Sequence, residues 1–145
     1  WYQTGTEVIF ACGGSMFASV SAAAAAADGK VIGVDVDQAG IINAYGEGMT
    51  VTSAMKGLAA TVNTLLTEIK AGNFASFGGK VETLNLQAGD YVGLPTAEAS
   101  WGFKTFTMDE YKKLIEDIRS GALVVSADIA DHPVVDASVT VNYID

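Results

Sequence analysis

Asp35 and Lys56 are the residues of this sequence best suited to hold a polar molecule. Asp35 closes the run Val31-Ile32-Gly33-Val34, and an ionised carboxylate at a strand end accepts two hydrogen bonds, a match for two neighbouring hydroxyl groups. Its plainer role is to cap the next turn, a role better suited to Asp37, which lies two residues on beside Gln38. Lys56 stands where a strand-like run gives way to a helix-like one. Its ammonium can donate to an oxygen while offsetting the negative field of Asp35. A merely solvated lysine fits poorly there, because a helix N-terminus already carries positive partial charge. Gly13-Gly14-Ser15 follows an apolar run and precedes an alanine-rich one. Small residues in such a turn let backbone amides approach a ligand. Phe17 and Phe10 can stack on a planar ring, although packing in a core explains each more simply.

Other chemistry is thinly supplied. The chain has one His and one Cys. His132 stands beside Pro133 and reads as an exposed loop residue, and Cys12 lies among apolar neighbours and reads as a buried small thiol. A lone cysteine makes neither an intrachain disulfide nor a paired-cysteine zinc site. Neither a nucleophile elbow nor a phosphate loop is found, so catalysis, a metal and a cofactor are not expected. Eight basic against 17 acidic residues give a net charge of -9, which repels phosphate backbones and argues against a nucleic-acid partner. At 145 residues, half of them apolar, the chain is long enough to bury a core.

The elements that must position these residues follow from pattern. Glu7 to Ala11 is expected to be a strand buried on both faces. Ser15 is a candidate N-cap for a helix from Met16 to Ala27 that stops at Asp28-Gly29. Lys30 to Val34 repeats the strand pattern. Strand, glycine turn, helix and strand make a βαβ unit with a parallel sheet, whose ligands sit beyond the carboxyl ends of the strands. Gln38 to Gly48 reads as a loop with one helical turn. Thr50 to Met55 is a third strand and Lys56 to Ala71 a helix, with Leu58, Val62, Leu65, Leu66 and Ile69 on the face to be buried. Val81 to Leu86 suits an edge strand, and Ala88 to Pro95 a loop or short strand. Thr107-Met108-Asp109-Glu110 is a capping box opening a helix that ends at Ser120 before Gly121. Trp101, Phe103 and Phe106 are expected to pack beneath that helix, and Val134 to Ile144 alternates like a final strand. Trp1 to Gly5 reads as the last turn of a helix with a glycine cap and lacks an initiator Met, so the chain is expected to be part of a longer protein, with any export signal or lipobox upstream.

Three segments, Val8-Ile9-Phe10-Ala11-Cys12-Gly13-Gly14-Ser15, Val31-Ile32-Gly33-Val34-Asp35-Val36-Asp37-Gln38 and Thr52-Ser53-Ala54-Met55-Lys56, resemble successive motifs of the basic membrane protein family, which includes the purine nucleoside receptor A lipoproteins. Val92-Gly93-Leu94-Pro95 and the capped C-terminal helix fit the same pattern. Met16-Phe17 depart from it, since many members carry another small residue after the glycine pair.

The resemblance implies a type I periplasmic-binding-protein fold, with two α/β lobes closing on a ligand. This chain would be the C-terminal portion of such a protein. Residues 1–49 would form a βαβ portion of the C-terminal lobe, residues 50–80 the hinge crossing and a helix of the N-terminal lobe, and residues 81–145 the crossover strands with the C-terminal helix and strand. The implied function is an extracytoplasmic, lipid-anchored solute-binding component that delivers a nucleoside to the membrane subunits of an ABC importer. Asp35 would contact the ribose, Lys56 a sugar oxygen, and Gly13, Gly14, Ser15 and Phe17 the rest of the ligand. A regulator domain of the same fold, and a binder of riboflavin or another heterocycle, are the alternatives. Incomplete lobes leave open sheet edges, so the missing N-terminal part or a second copy is an expected partner.

Overall fold

Val31, Gly33 and Val34 carry nothing that must reach water, so the strand that holds them, β2 (Lys30–Asp35), takes the interior of the sheet. The computed structural model describes residues 1–127, 132 and 134–144. It sets β1 (Val8–Phe10) parallel to one side of β2 and β3 (Thr50–Lys56) parallel to the other, with β4 (Val92–Gly93) antiparallel along β3. The protein is thus an α/β fold with an open, mostly parallel four-stranded sheet flanked by helices.

On one face lie α1 (Phe17–Ala25) and the short α2 (Ala39–Asn43). Ala24, Val31 and Ile42 are fully buried there with Ala11 and Met49, and Tyr2, Phe17 and Val20 pack around them. Gly33 lets β2 approach the 38–53 region closely, since a Cβ on it would lie 2.7 Å from Ser53 Oγ and 2.8 Å from Gln38 Oε1. Beyond β3 come α3 (Leu58–Lys70), the single turn α4 (Phe74–Phe77) and finally α5 (Met108–Ser120). Side chains alternate along a strand, so Val34 looks away from the face of Val31 and toward α5. Trp101 packs against Phe103, Phe106 and Tyr111, and its indole N–H donates to the Phe106 carbonyl at 3.0 Å, which seats the aromatic cluster against α5 as expected.

Several expectations are overturned. β1 is an edge strand, with Val8 40% and Phe10 47% exposed, because only β2 pairs with it. Cys12, just past its end, is exposed for the same reason. Ser15 caps nothing; it lies in a 3-10 turn, Gly14–Met16, and α1 starts at Phe17 without a side-chain cap. Lys56 belongs to β3 and not to the helix after it. The apolar positions Leu58, Val62, Leu66 and Ile69 of α3 are all exposed, because helical periodicity marks a face fit for burial without supplying the surface that buries it. Val81 to Leu86 forms no strand, and Val81 is 97% exposed. Val134 to Ile144 forms none either: alternation makes a strand only where a neighbour offers backbone partners. Tyr2–Thr4 is a 3-10 turn closed by Gly5 at φ 98°, a tighter form of the expected capped end.

The capping box of α5 is formed in full. Thr107 Oγ1 accepts from Glu110 N at 3.2 Å while the Glu110 carboxylate accepts from Thr107 N at 2.7 Å, and these hydrogen bonds hold the Glu110 carboxyl below the usual glutamate value. Thr107→Ala is expected to lower stability by about 1 kcal/mol in chemical denaturation. A carboxyl depressed in the folded state stabilises fully above its unfolded pKa and loses that contribution as pH falls through its folded value. Acid titration of the wild type should therefore lose the carboxylate's contribution, while Thr107→Ala, which keeps the backbone donor and loses the hydroxyl, should show slightly less acid dependence; greater acid sensitivity in the variant would count against the box.

Candidate ligand-binding site

The three parallel strands finish along one edge, so the residues at their ends become neighbours whatever their separation in sequence. Asp35 pairs in register with Met55, which sets Lys56 one step beyond it, and Lys56 Nζ lies 2.6 Å from Asp35 Oδ1. The two groups stand side by side on adjacent strands, and not on opposite walls of a cleft.

Asp35 has φ 69°, a left-handed conformation that aspartate tolerates better than most residues and that turns its carboxylate at the sheet edge. The Oδ1 atom that meets Lys56 is shut off from solvent, and no backbone amide or hydroxyl among the described residues donates to it. The close carboxylate raises Lys56 above the usual lysine value, first through the contact itself and then through its charge. The ammonium is therefore held charged at neutral pH, and its charge is lost as pH rises through that raised value. With side chains 63% and 35% exposed, such a pair adds little to stability. Its geometry offers a donor and an acceptor together to a bound hydroxyl group.

The loop after Asp35 is fixed by side chains that act as backbone partners. Gln38 is 6% exposed; its Oε1 accepts from Val34 N at 3.0 Å, and its own N–H donates to Ser53 Oγ at 3.1 Å. Asp37 Oδ1 accepts from Ala39 N at 3.1 Å, opening α2, and Oδ2 accepts from the Ser100 hydroxyl at 2.6 Å. Asp37 thus caps the turn and ties a distant segment to it. Neither Ser100 nor the clamp made by Gln38 stood out in the sequence; a glutamine following two aspartates at a strand end was the only hint.

The glycine turn lies at the end of β1. A Cβ on Gly13 would fall 2.5 Å from Sδ of the exposed Met16, which could swing aside, whereas Gly14 takes φ 47°, a conformation that favours glycine. Ser15 is exposed, and Phe17 is half-buried against the core cluster of Ala24 and Val31. Neither the turn nor Phe17 lines the groove that Lys56 borders.

That groove was not anticipated. It lies between α5 and the sheet face bearing Phe10, Val34 and Ala54, and it is closed on a third side by Val92 and Leu94. Its volume is about 470 Å³, and Lys56 and Cys12 lie on its rim near Asp35. Tyr111 anchors the third wall, its hydroxyl accepting from Leu94 N at 2.7 Å, while Gly57 N donates to Tyr91 O at 2.7 Å. The apolar face of α5 was legible, but the gap left above it was not.

Among the described residues, no three His, Cys, Asp or Glu side chains are grouped to hold a metal, and no helix is long and apolar enough to cross a membrane. His132 is exposed and its ring stacks on Tyr143. No protein-family model matches the chain, and no curated protein matches it.

Proposed function

We propose that the chain is part of an extracytoplasmic solute-binding component of an ABC importer, with the type I periplasmic-binding-protein arrangement, and that it captures a nucleoside or a related hydroxylated small molecule. The observation that carries this reading is the Asp35–Lys56 pair: a charged donor and acceptor 2.6 Å apart, partly open, at the carboxyl ends of adjacent parallel strands. A pair so exposed has little to do for stability, which leaves recognition as its use. The uncovered face of α3 fits the same reading, since a helix that crosses to another lobe would bury Leu58, Val62 and Leu66 there. Residues 1–49 would belong to one lobe, with 50–80 making the crossing and 81–145 the return; because β3 stays in the sheet of β1 and β2, the crossing would begin after Lys56.

The test is calorimetric titration, with thermal shift beside it, of the protein expressed from its complete open reading frame. Purine and pyrimidine nucleosides, riboflavin and free ribose form the panel. Saturable heat and a rise in Tm are expected with nucleosides. A flat response to every nucleoside rejects that ligand class, and a response to riboflavin alone transfers the site to a different heterocycle.

A further inference from the structure

We infer that the groove between α5 and the sheet receives the base of the nucleoside and reads it by apolar contact instead of by its hydrogen-bonding edge. This rests on the function proposed above and adds the basis of its specificity. The groove begins where the Asp35–Lys56 pair ends, because Lys56 lines it and Lys56 Nζ touches Asp35. Its volume of about 470 Å³ lies within the ~300–1,000 Å³ usual for small-molecule sites. The walls are Phe10, Val34, Leu94, Leu114, Ile115 and Ile118, with few polar side chains among them. One of those few, Tyr111, already has its hydroxyl engaged by the Leu94 amide. The Phe10 ring is 47% exposed at the edge of the sheet and offers a face for stacking. At the rim the carboxylate and ammonium sum to no net charge, which suits a neutral hydroxylated head more than an anionic one. The complementary ligand is therefore a neutral amphipathic molecule: hydroxyls at the pair, a planar apolar-faced ring in the groove.

The experiment compares guanosine with unsubstituted purine riboside, which lacks the exocyclic groups, in calorimetric titrations of wild type, Phe10→Ala and Ile118→Trp. Purine riboside is expected to bind within about tenfold of guanosine, whereas a site that pairs with the base edge rejects such an analogue by roughly 10⁴-fold. Phe10→Ala is expected to weaken both ligands alike by about two- to tenfold, the scale of a lost aromatic contact. Ile118→Trp, which fills the groove, should weaken both further. If the tryptophan variant fails to fold, Phe10→Ala still decides, because its side chain is half-exposed on an edge strand. A large preference for guanosine overturns the inference, as does nucleoside binding that needs Asp35 but is indifferent to both groove variants. A wild type that sediments as a dimer and a Phe10→Ala or Ile118→Trp variant that sediments as a monomer with nucleoside affinity intact also overturn it, giving the groove to a second copy. If wild type binds no nucleoside, the proposed function falls as well.

Discussion

Replacing Asp35 by glycine is expected to weaken nucleoside binding by about 1–3 kcal/mol, or about five- to 150-fold, without lowering the Tm. The two halves of this result have separate causes. Affinity falls because the variant removes the acceptor that, with Lys56, faces the ligand hydroxyls, and a hydrogen bond to a charged group lies at the strong end of the range. Stability holds because glycine adopts φ 69° without the strain an L side chain meets there. The ion pair that is lost was 63% and 35% exposed and contributed little. Asp35→Asn separates charge from shape: it keeps a short polar side chain that tolerates the left-handed region, so a loss of affinity in that variant belongs to the carboxylate charge. Unchanged affinity in the glycine variant would remove Asp35 from the site. A substantial fall in Tm would instead make the pair structural.

Gly57→Ala is expected to have the largest effect on stability, about 3 kcal/mol, at the upper end of what overpacking costs. A Cβ on Gly57 would run into the Asp90 carbonyl and come within 2.9 Å of Tyr91 Cα. Both obstacles are backbone, so no rotamer change relieves the clash; the 90–93 segment must move away from the end of β3. That movement would break the Gly57 N to Tyr91 O hydrogen bond and disturb the pairing of Lys56 with Val92 in β4. Ligand affinity should fall together with stability, since Lys56 sits at the same junction and Val92 lines the groove. Urea denaturation should show a lower midpoint at an unchanged m value. Gly40→Ala is the control: nothing lies within 4 Å of a Cβ there, and the position is helical, so that variant should be neutral or slightly stabilising. A Gly57→Ala midpoint equal to wild type would show that the segment yields easily and that the junction does not fix Lys56.

Residues whose behaviour is decided within a few positions of chain were legible in the sequence. The Thr107–Glu110 box, the Gly121 cap at φ 78° and the β2 run needed only local geometry, and they formed where expected. The βαβ order implied parallel strands, which formed, whereas Asp35 and Lys56 were expected to face one another across a crevice and instead stand side by side on adjacent strands. Features that need a distant neighbour were misjudged. β1 has the composition of an interior strand but lies at the edge, and the faces of α3 and of Val134 to Ile144 are patterned for burial but exposed. Composition records what a segment can bury, and only the presence of a partner surface decides whether it does.

By itself, then, the sequence determined the long helices, the parallel pairing of the first three strands and the two charged groups at their carboxyl ends, because side-chain period and crossover handedness act locally. Tertiary structure alone decided that Lys56 would contact Asp35 directly, that Ser100 would hold Asp37, and that α5 would stand off the sheet far enough to leave a groove. Those outcomes depend on strand register and on how segments tens of residues apart pack, and no local pattern encodes either.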